Sequence, residues 1–311
     1  MHPSTFITAR WYLKRAKLNS GNPSTSSTGF PLLACMPKVE VVHAQSPLCQ
    51  WSWGYEPVIN RLERIYGKQV EFTVTQAFPY MERAKWLEDY EMNATEAIEW
   101  VKADVAPRVG LPMTIPTSWD DMPASTYPAG AAVAAARIVH GETGGRKLAR
   151  ALMFANLVEG RDTADPGVIE SVVRAAGLDH DSMIKASADD IDKTLSDDMH
   201  RAGHGANFFS LIVREPSGET SVSLAYAYDP ARVEHAIDYM SGGKLKKAKV
   251  KPDVMGYAEE VGSPIALLEV RKMFALDAAR AKAILSAAVK RGELVRTRYA
   301  CGDFWSVATD E

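Results

Sequence analysis

The stretch Ser46-Pro47-Leu48-Cys49-Gln50-Trp51-Ser52-Trp53-Gly54-Tyr55-Glu56-Pro57 lies between two different hydrophobic patterns. Before it, Val39 to His43 is a β-branched run with little alternation, as expected of a buried parallel strand. Ala44-Gln45-Ser46-Pro47 is a turn signal. Beyond Cys49, the residues Tyr55, Val58, Ile59, Leu62 and Ile65 recur at i, i+3, i+4, i+7 and i+10, which is one face of a helix. Gly67 is placed to end that helix, and Gln69 to Thr75 reads as a second strand. The spacing predicts a βαβ unit with Cys49 at the first turn of its helix.

Working outward, a helical block follows. Ala94 to Ala106 reads as one helix, and Pro107, Pro112, Pro116 and Pro123 break the next stretch into loops. Ala129–His140, Lys147–Val158, Pro166–Ala176, His180–Ser187 and Asp189–Arg201 read as further helices, with Gly141 to Lys147 as an interhelix loop. Asn207–Arg214 and Ser221–Tyr226 then read as an antiparallel pair, closed by a helix over Ala231–Tyr239. The order β-α-β, helices, β-β-α predicts an α/β thioredoxin-type sheet interrupted by an all-helical insertion at about 90–202. Residues 243–256, with Lys244, Lys246, Lys247, Lys249 and Lys251, read as a basic linker. Residues 257–311 read as a small second domain, with helices over Ser263–Phe274 and Ala278–Arg291 and a hairpin around Cys301-Gly302-Asp303, a winged-helix-like arrangement.

Composition narrows the classes. The chain of 311 residues is 46% hydrophobic and 24% charged with a net charge of −3, which excludes a wholly disordered or coiled-coil chain and gives no global sign of a nucleic-acid partner. No run approaches the roughly 18 apolar residues of a membrane span. Three cysteines, Cys35, Cys49 and Cys301, make no disulfide scaffold and favour a reducing compartment, so a cytoplasmic location is expected. Residues 1–35 carry Arg10, Lys14, Arg15 and Lys17 but no acid, and read as a disordered tail or a mis-assigned start ahead of a domain at 36–242. His200 and His204 lack a ligand set at metal spacing, so no metal is expected.

The quoted stretch resembles the active-site turn of DsbA-like thioredoxin-fold proteins, nearest to the branch typified by DPLCPWCWGFEP, which includes the FrnE-type oxidoreductases and the adaptor that presents the Spx regulator to the ClpXP protease. The likeness covers about residues 38–240, with Gly110-Leu111-Pro112-Met113 and the small-residue helix after Tyr127-Pro128 also in keeping. Two positions depart from the pattern. The second active-site cysteine is Ser52 here, and Phe209, within Phe208-Phe209-Ser210-Leu211, stands where the family has a cis-proline. A cis bond before a non-proline residue costs about 3 kcal/mol, so a trans bond is expected there, with a reshaped substrate groove. The resemblance implies Cys49 and Ser52 as the catalytic pair and Phe208 and Phe209 as substrate-facing, and it brings in the glutathione-using relatives, the kappa-class transferases and 2-hydroxychromene-2-carboxylate isomerases.

The residues themselves support a single-thiol chemistry. A cysteine at a helix N-terminus faces unpaired N–H groups and the positive dipole end, which lower a thiol's pKa from about 8.5. Ser52 cannot form a disulfide but can donate a hydrogen bond to the thiolate. Cys35 is held off by the strand Val39–His43, roughly 15 Å long, so it does not serve as a resolving thiol. Trp51 is expected to face the groove, Trp53 to pack inward, and His43 to tune the thiolate. The leading expectation is a thiol–disulfide oxidoreductase, or a glutathione-dependent isomerase or transferase, acting through a mixed disulfide of Cys49. Its partners are a protein or glutathione thiol or disulfide, with no resident cofactor, no membrane and no DNA, and a homo-oligomer left open. The rivals are a noncatalytic protein-binding adaptor and a redox-linked DNA-binding regulator using Arg280, Lys282, Lys290, Arg291, Arg296 and Arg298.

Overall fold

Strand β1 (Val39–Gln45) leads through the Ser46–Leu48 turn into helix α1 (Gln50–Tyr66), and the chain returns as β2 (Val70–Gln76). These coordinates are a computed structural model that describes residues 38–78, 80–203 and 210–308. The tail at 1–35 with Cys35, the pair Phe208 and Phe209, and His204 therefore lie outside the described residues. β1 and β2 are parallel in register from Val39↔Val70 to Gln45↔Gln76, as a βαβ crossover requires.

The insertion follows. Short helix α2 (Arg83–Asp89) precedes α3 (Ala94–Trp100), which passes through a π-helical turn at Val101–Val105 into α4 (Ala106–Val109). The predicted helix ending at Ala106 thus continues to Val109. Pro107 sits in the first turn of α4, where a missing N–H costs little. Helix α5 (Tyr127–Leu157) is two helical stretches joined at a kink, in keeping with the two predicted helices, but with the break confined to Gly141 rather than spread over a loop to Lys147. Gly141 takes a non-helical backbone with φ 71°, which a residue without Cβ adopts at low cost. Helices α6 (Pro166–Ala175), α7 (His180–Met183) and α8 (Ala188–Ala202) complete the block, each capped by an Asp or Ser side chain at Asp165, Asp179 and Ser187. Ala129, Val133, Leu148, Leu152, Val172 and Val173 form its own core.

β3 (Ser210–Arg214) then runs antiparallel to β1, β4 (Ser221–Ala225) antiparallel to β3, and α9 (Pro230–Met240) closes the unit. The strand order β2-β1-β3-β4, with β-α-β before the insertion and β-β-α after it, is the thioredoxin fold. α1 and α9 cover one face of the sheet, burying Trp53, Tyr55, Leu62, Leu211 and Ile237. On the other face, α8 covers Val42, Ala44 and Ile212.

The C-terminal part is α10 (Val254–Val261), β5 (Ile265–Ala266), α11 (Leu267–Phe274), α12 (Ala278–Lys290), β6 (Leu294–Tyr299) and β7 (Gly302–Val307), with sheet order β5-β7-β6. Helix α10 was not anticipated and begins inside the stretch read as a linker. Asp253 caps it by accepting from Gly256 N–H, and Val254, Tyr257 and Ala258 are its buried face. The segment before α10 is stitched down. Ala248 N–H donates to the Ile65 carbonyl at 2.8 Å, and the Gln69 amide pairs with both backbone groups of Lys246 at 2.8 and 3.0 Å.

Arg150 ties α1, α5 and the C-terminal part together. Its guanidinium donates to Glu269 (2.9 Å), the Ser263 hydroxyl (3.0 Å) and the Pro264 carbonyl (3.0 Å), and it lies 4.1 Å above the Trp53 ring. Arg150 and Glu269 are only 4% and 0% exposed, so the pair is desolvated and stands on its added hydrogen bonds. Residues 38–311 form one contact unit.

Candidate active site

Cys49 is the N-cap of α1. Its N–H donates to the Ser46 carbonyl at 3.1 Å, its carbonyl accepts from Trp53 N–H at 3.2 Å, and its extended backbone (φ −95°, ψ 118°) turns the chain into the helix. The Ser52 hydroxyl, fully buried, accepts from Ser46 N–H at 3.2 Å. The Cys49 side chain makes no capping hydrogen bond, but Ser52 and Trp51 act on its sulfur to lower the pKa. The free N–H groups at the start of a helix favour an anion there.

The Cys49 thiol is nevertheless not the strong acid that a helix end alone would make it. Cys49 is 5% exposed, and burial pushes its pKa up to about 11, outweighing the Ser52 and Trp51 hydrogen bonds that pull the other way. The expected lowered pKa is thus corrected. A thiolate needs water or counter-charge as well as donors, and the turn is packed under side chains that sequence spacing does not bring near it.

Those side chains are aromatic. Trp51, expected to face the groove, is 6% exposed and wedged among Tyr226 (5.2 Å between centroids), Trp100 (5.9 Å, edge-on) and Tyr228 (6.4 Å, parallel). Trp100 leads on to Trp86 at 6.1 Å, and Trp86 stacks with Tyr90 at 4.4 Å and Trp119 at 4.9 Å. Trp53 is fully buried, and its indole N–H donates to the Pro112 carbonyl at 3.3 Å. Tyr228 lies flush on the first turns of α1. A Cβ at Gly54 would come within 2.7 Å of its ring, so only glycine admits that contact.

His43 is 1% exposed and packs on Tyr55 at 5.0 Å. Burial pushes its imidazole down to about 3, with the Ser210 backbone acting weakly the other way, so the ring is neutral. The groups acting on the Cys49 sulfur are Ser52 and Trp51, and His43 is not among them. On α1, Glu56 accepts from the Gln45 amide at 2.7 Å, and burial raises its pKa against the pull of Arg150 and Arg146.

Several residues around the turn escaped sequence reading: Tyr226, Tyr228, Arg108 and Lys272. Tyr226-Ala227-Tyr228 sits between β4 and the Asp229-Pro230 cap of α9, a loop whose paired tyrosines were the available signal. Tyr226 adopts a left-handed backbone (φ 52°), which costs an aromatic residue roughly 1–2 kcal/mol and occurs preferentially at functional positions. Arg108 lies 5.0 Å over the Tyr226 ring and Lys272, from α11, 5.6 Å over Tyr228. Three of the C-terminal arginines form surface ion pairs: Arg296 and Arg298 with Asp303, and Arg291 with Glu293. His200 bonds the Ser196 carbonyl. No helix among the described residues is long and apolar enough to cross a membrane.

No family model and no curated protein matches the chain. Among solved structures it is similar to the cytosolic disulfide reductase DsbM of Pseudomonas aeruginosa, at 18% identity over 65% of this chain and 96% of that one (TM-score 0.45), and to the same protein solved with GSH, at 18% identity and the same shares (TM-score 0.46). It is also similar to a probable DsbA oxidoreductase of Streptomyces coelicolor, at 14% identity over 68% of this chain and 94% of that one (TM-score 0.48).

Proposed function

We propose that the chain is a thiol–disulfide oxidoreductase-like protein that works through Cys49 alone. The observation that carries this reading is the seat of Cys49 as N-cap at the start of α1, with Ser52 and Trp51 acting on its sulfur to favour the thiolate. Such a seat stabilises a thiolate over a thiol, so it favours the nucleophile once the sulfur is opened to solvent and substrate. The thiolate attacks R–S–S–R′, forming Cys49–S–S–R and expelling R′–S⁻. Ser52 cannot displace R, so a second, external thiolate R″–S⁻ attacks the R sulfur, giving R–S–S–R″ and restoring the Cys49 thiolate. A monothiol cycle of this kind suits glutathione or a protein thiol as partner, and the same activated sulfur would serve a glutathione-dependent isomerase or transferase. The few cysteines fit a reducing, cytoplasmic setting. The order α10-β5-α11-α12-β6-β7, with its three-stranded sheet, supports a winged-helix-like C-terminal module.

A second reading is favoured by one observation, the burial of Cys49 with its pKa near 11: a noncatalytic adaptor on the same fold. Oxidised glutathione separates the two. Incubated with the full chain at pH 7 and pH 9 and followed by mass spectrometry, it is expected to give one adduct on Cys49, faster at pH 9 and absent in Cys49→Ser. No adduct at either pH would leave only the adaptor.

A further inference from the structure

We propose that Lys272, supplied by the C-terminal part, is the anion-binding group of the Cys49 site and takes a carboxylate of a small anionic thiol. This rests on the reading of Cys49 as a thiol-exchange site and names the class of its ligand.

Lys272 projects from α11 to within 5.6 Å of the Tyr228 ring centroid. Tyr228 stacks parallel to Trp51, two residues from Cys49, and its hydroxyl is buried with no partner among the described residues. The ammonium is half-buried, and no carboxylate lies within ion-pair distance of it among the described residues. Two acids act on it without reaching ion-pair distance. Glu269, one turn back on the same helix, is held through Oε1 by Arg150 and by Ala266 N–H, each at 2.9 Å, while its Oε2 is buried with no partner among the described residues, and Asp229 caps α9 by accepting from Ala231 N–H at 3.0 Å. From α1, Arg61 faces the same helix and donates to the Met273 carbonyl at 2.9 Å. Of the other cations on this aromatic surface, Arg108 is paired with Asp104 at 2.7 Å and Arg232 donates to the Tyr226 carbonyl at 3.4 Å.

Desolvation follows from the same geometry. Burial against the rings lowers the Lys272 pKa to about 8, with Glu269 and Asp229 opposing. A bound carboxylate would restore the lost counter-charge and favour the protonated amine. Affinity for an anionic ligand is therefore expected to fall about tenfold per pH unit above 8.

The test uses S-methylglutathione, which has no thiol to exchange, and its diethyl ester, which has no carboxylate. Both are titrated into the full chain and followed by calorimetry. Lys272→Met is expected to weaken binding of the acid by about 10- to 100-fold, the range for a hydrogen bond to a charged group, and Lys272→Arg to restore it and remove the decline above pH 8. The ester should bind wild type and Lys272→Met alike. The proposal is overturned if Lys272→Met binds the acid as wild type does, if acid and ester lose equally, or if wild type binds neither. Cys49→Ala should keep the Lys272-dependent affinity. If it does while oxidised glutathione leaves Cys49 unmodified, the thiol-exchange reading fails and the anion site stands.

Discussion

His43 shows how a side chain at the right place can lack the expected role. It closes the strand that leads to Cys49, yet it lies fully buried against the Tyr55 ring. Its folded pKa near 3 lies below the unfolded value near 6.5, so between these pH values the unfolded chain holds a proton that the folded chain lacks. Stability is then undiminished above about pH 6.5 and falls as pH drops toward 3, by about 1.4 kcal/mol per unit. His43→Leu is expected to remove this acid sensitivity. Urea unfolding at pH 6.5 and pH 5 should show wild type losing about 2 kcal/mol more than the variant over that interval. Equal losses would mean that the imidazole is solvated or charged in the folded protein.

Helix α1 is the element whose reading was most complete, because its signals are local. The strand before it, its periodic face and its stop at Gly67 all lie within one short stretch of sequence. What that stretch could not reveal is what covers the helix's first turns. Tyr228 arrives from beyond β4 and uses the missing side chain of Gly54 as its seat. Gly54→Ala is expected to destabilise the fold by about 1–3 kcal/mol through overpacking and to loosen the Trp51–Tyr228 stack, seen as a loss of near-ultraviolet circular dichroism. A variant as stable as wild type with an unchanged spectrum would show that the ring yields freely. The insertion was legible as helical with a break at Gly141, but its glycine-rich stretch did not reveal that the second helix resumes directly after that one residue.

Across the whole molecule, the composition and the element order were readable, whereas the attachment of the C-terminal part to α1 was not. Arg150 and Glu269 stand far apart in the chain, in segments that look like ordinary amphipathic helices, and only packing makes them a desolvated pair. The same docking brings Lys272 over the Tyr228 ring. Removing one member leaves an uncompensated buried charge, so Arg150→Met is expected to cost about 3–5 kcal/mol. Because Arg150 contacts Ser263, Pro264 and Trp53, that loss should raise hydrogen exchange across α1 and α11 together. Exchange confined to α11 would indicate that the C-terminal part moves independently.

The indoles of Trp51, Trp100, Trp86 and Trp119 form an unbroken row, each within 6.1 Å of the next. Excitation absorbed by any one of them migrates along the row within its lifetime, so the emitted light loses memory of the plane in which it was absorbed. The protein therefore carries its own optical antenna, ending two residues from the sulfur at Cys49.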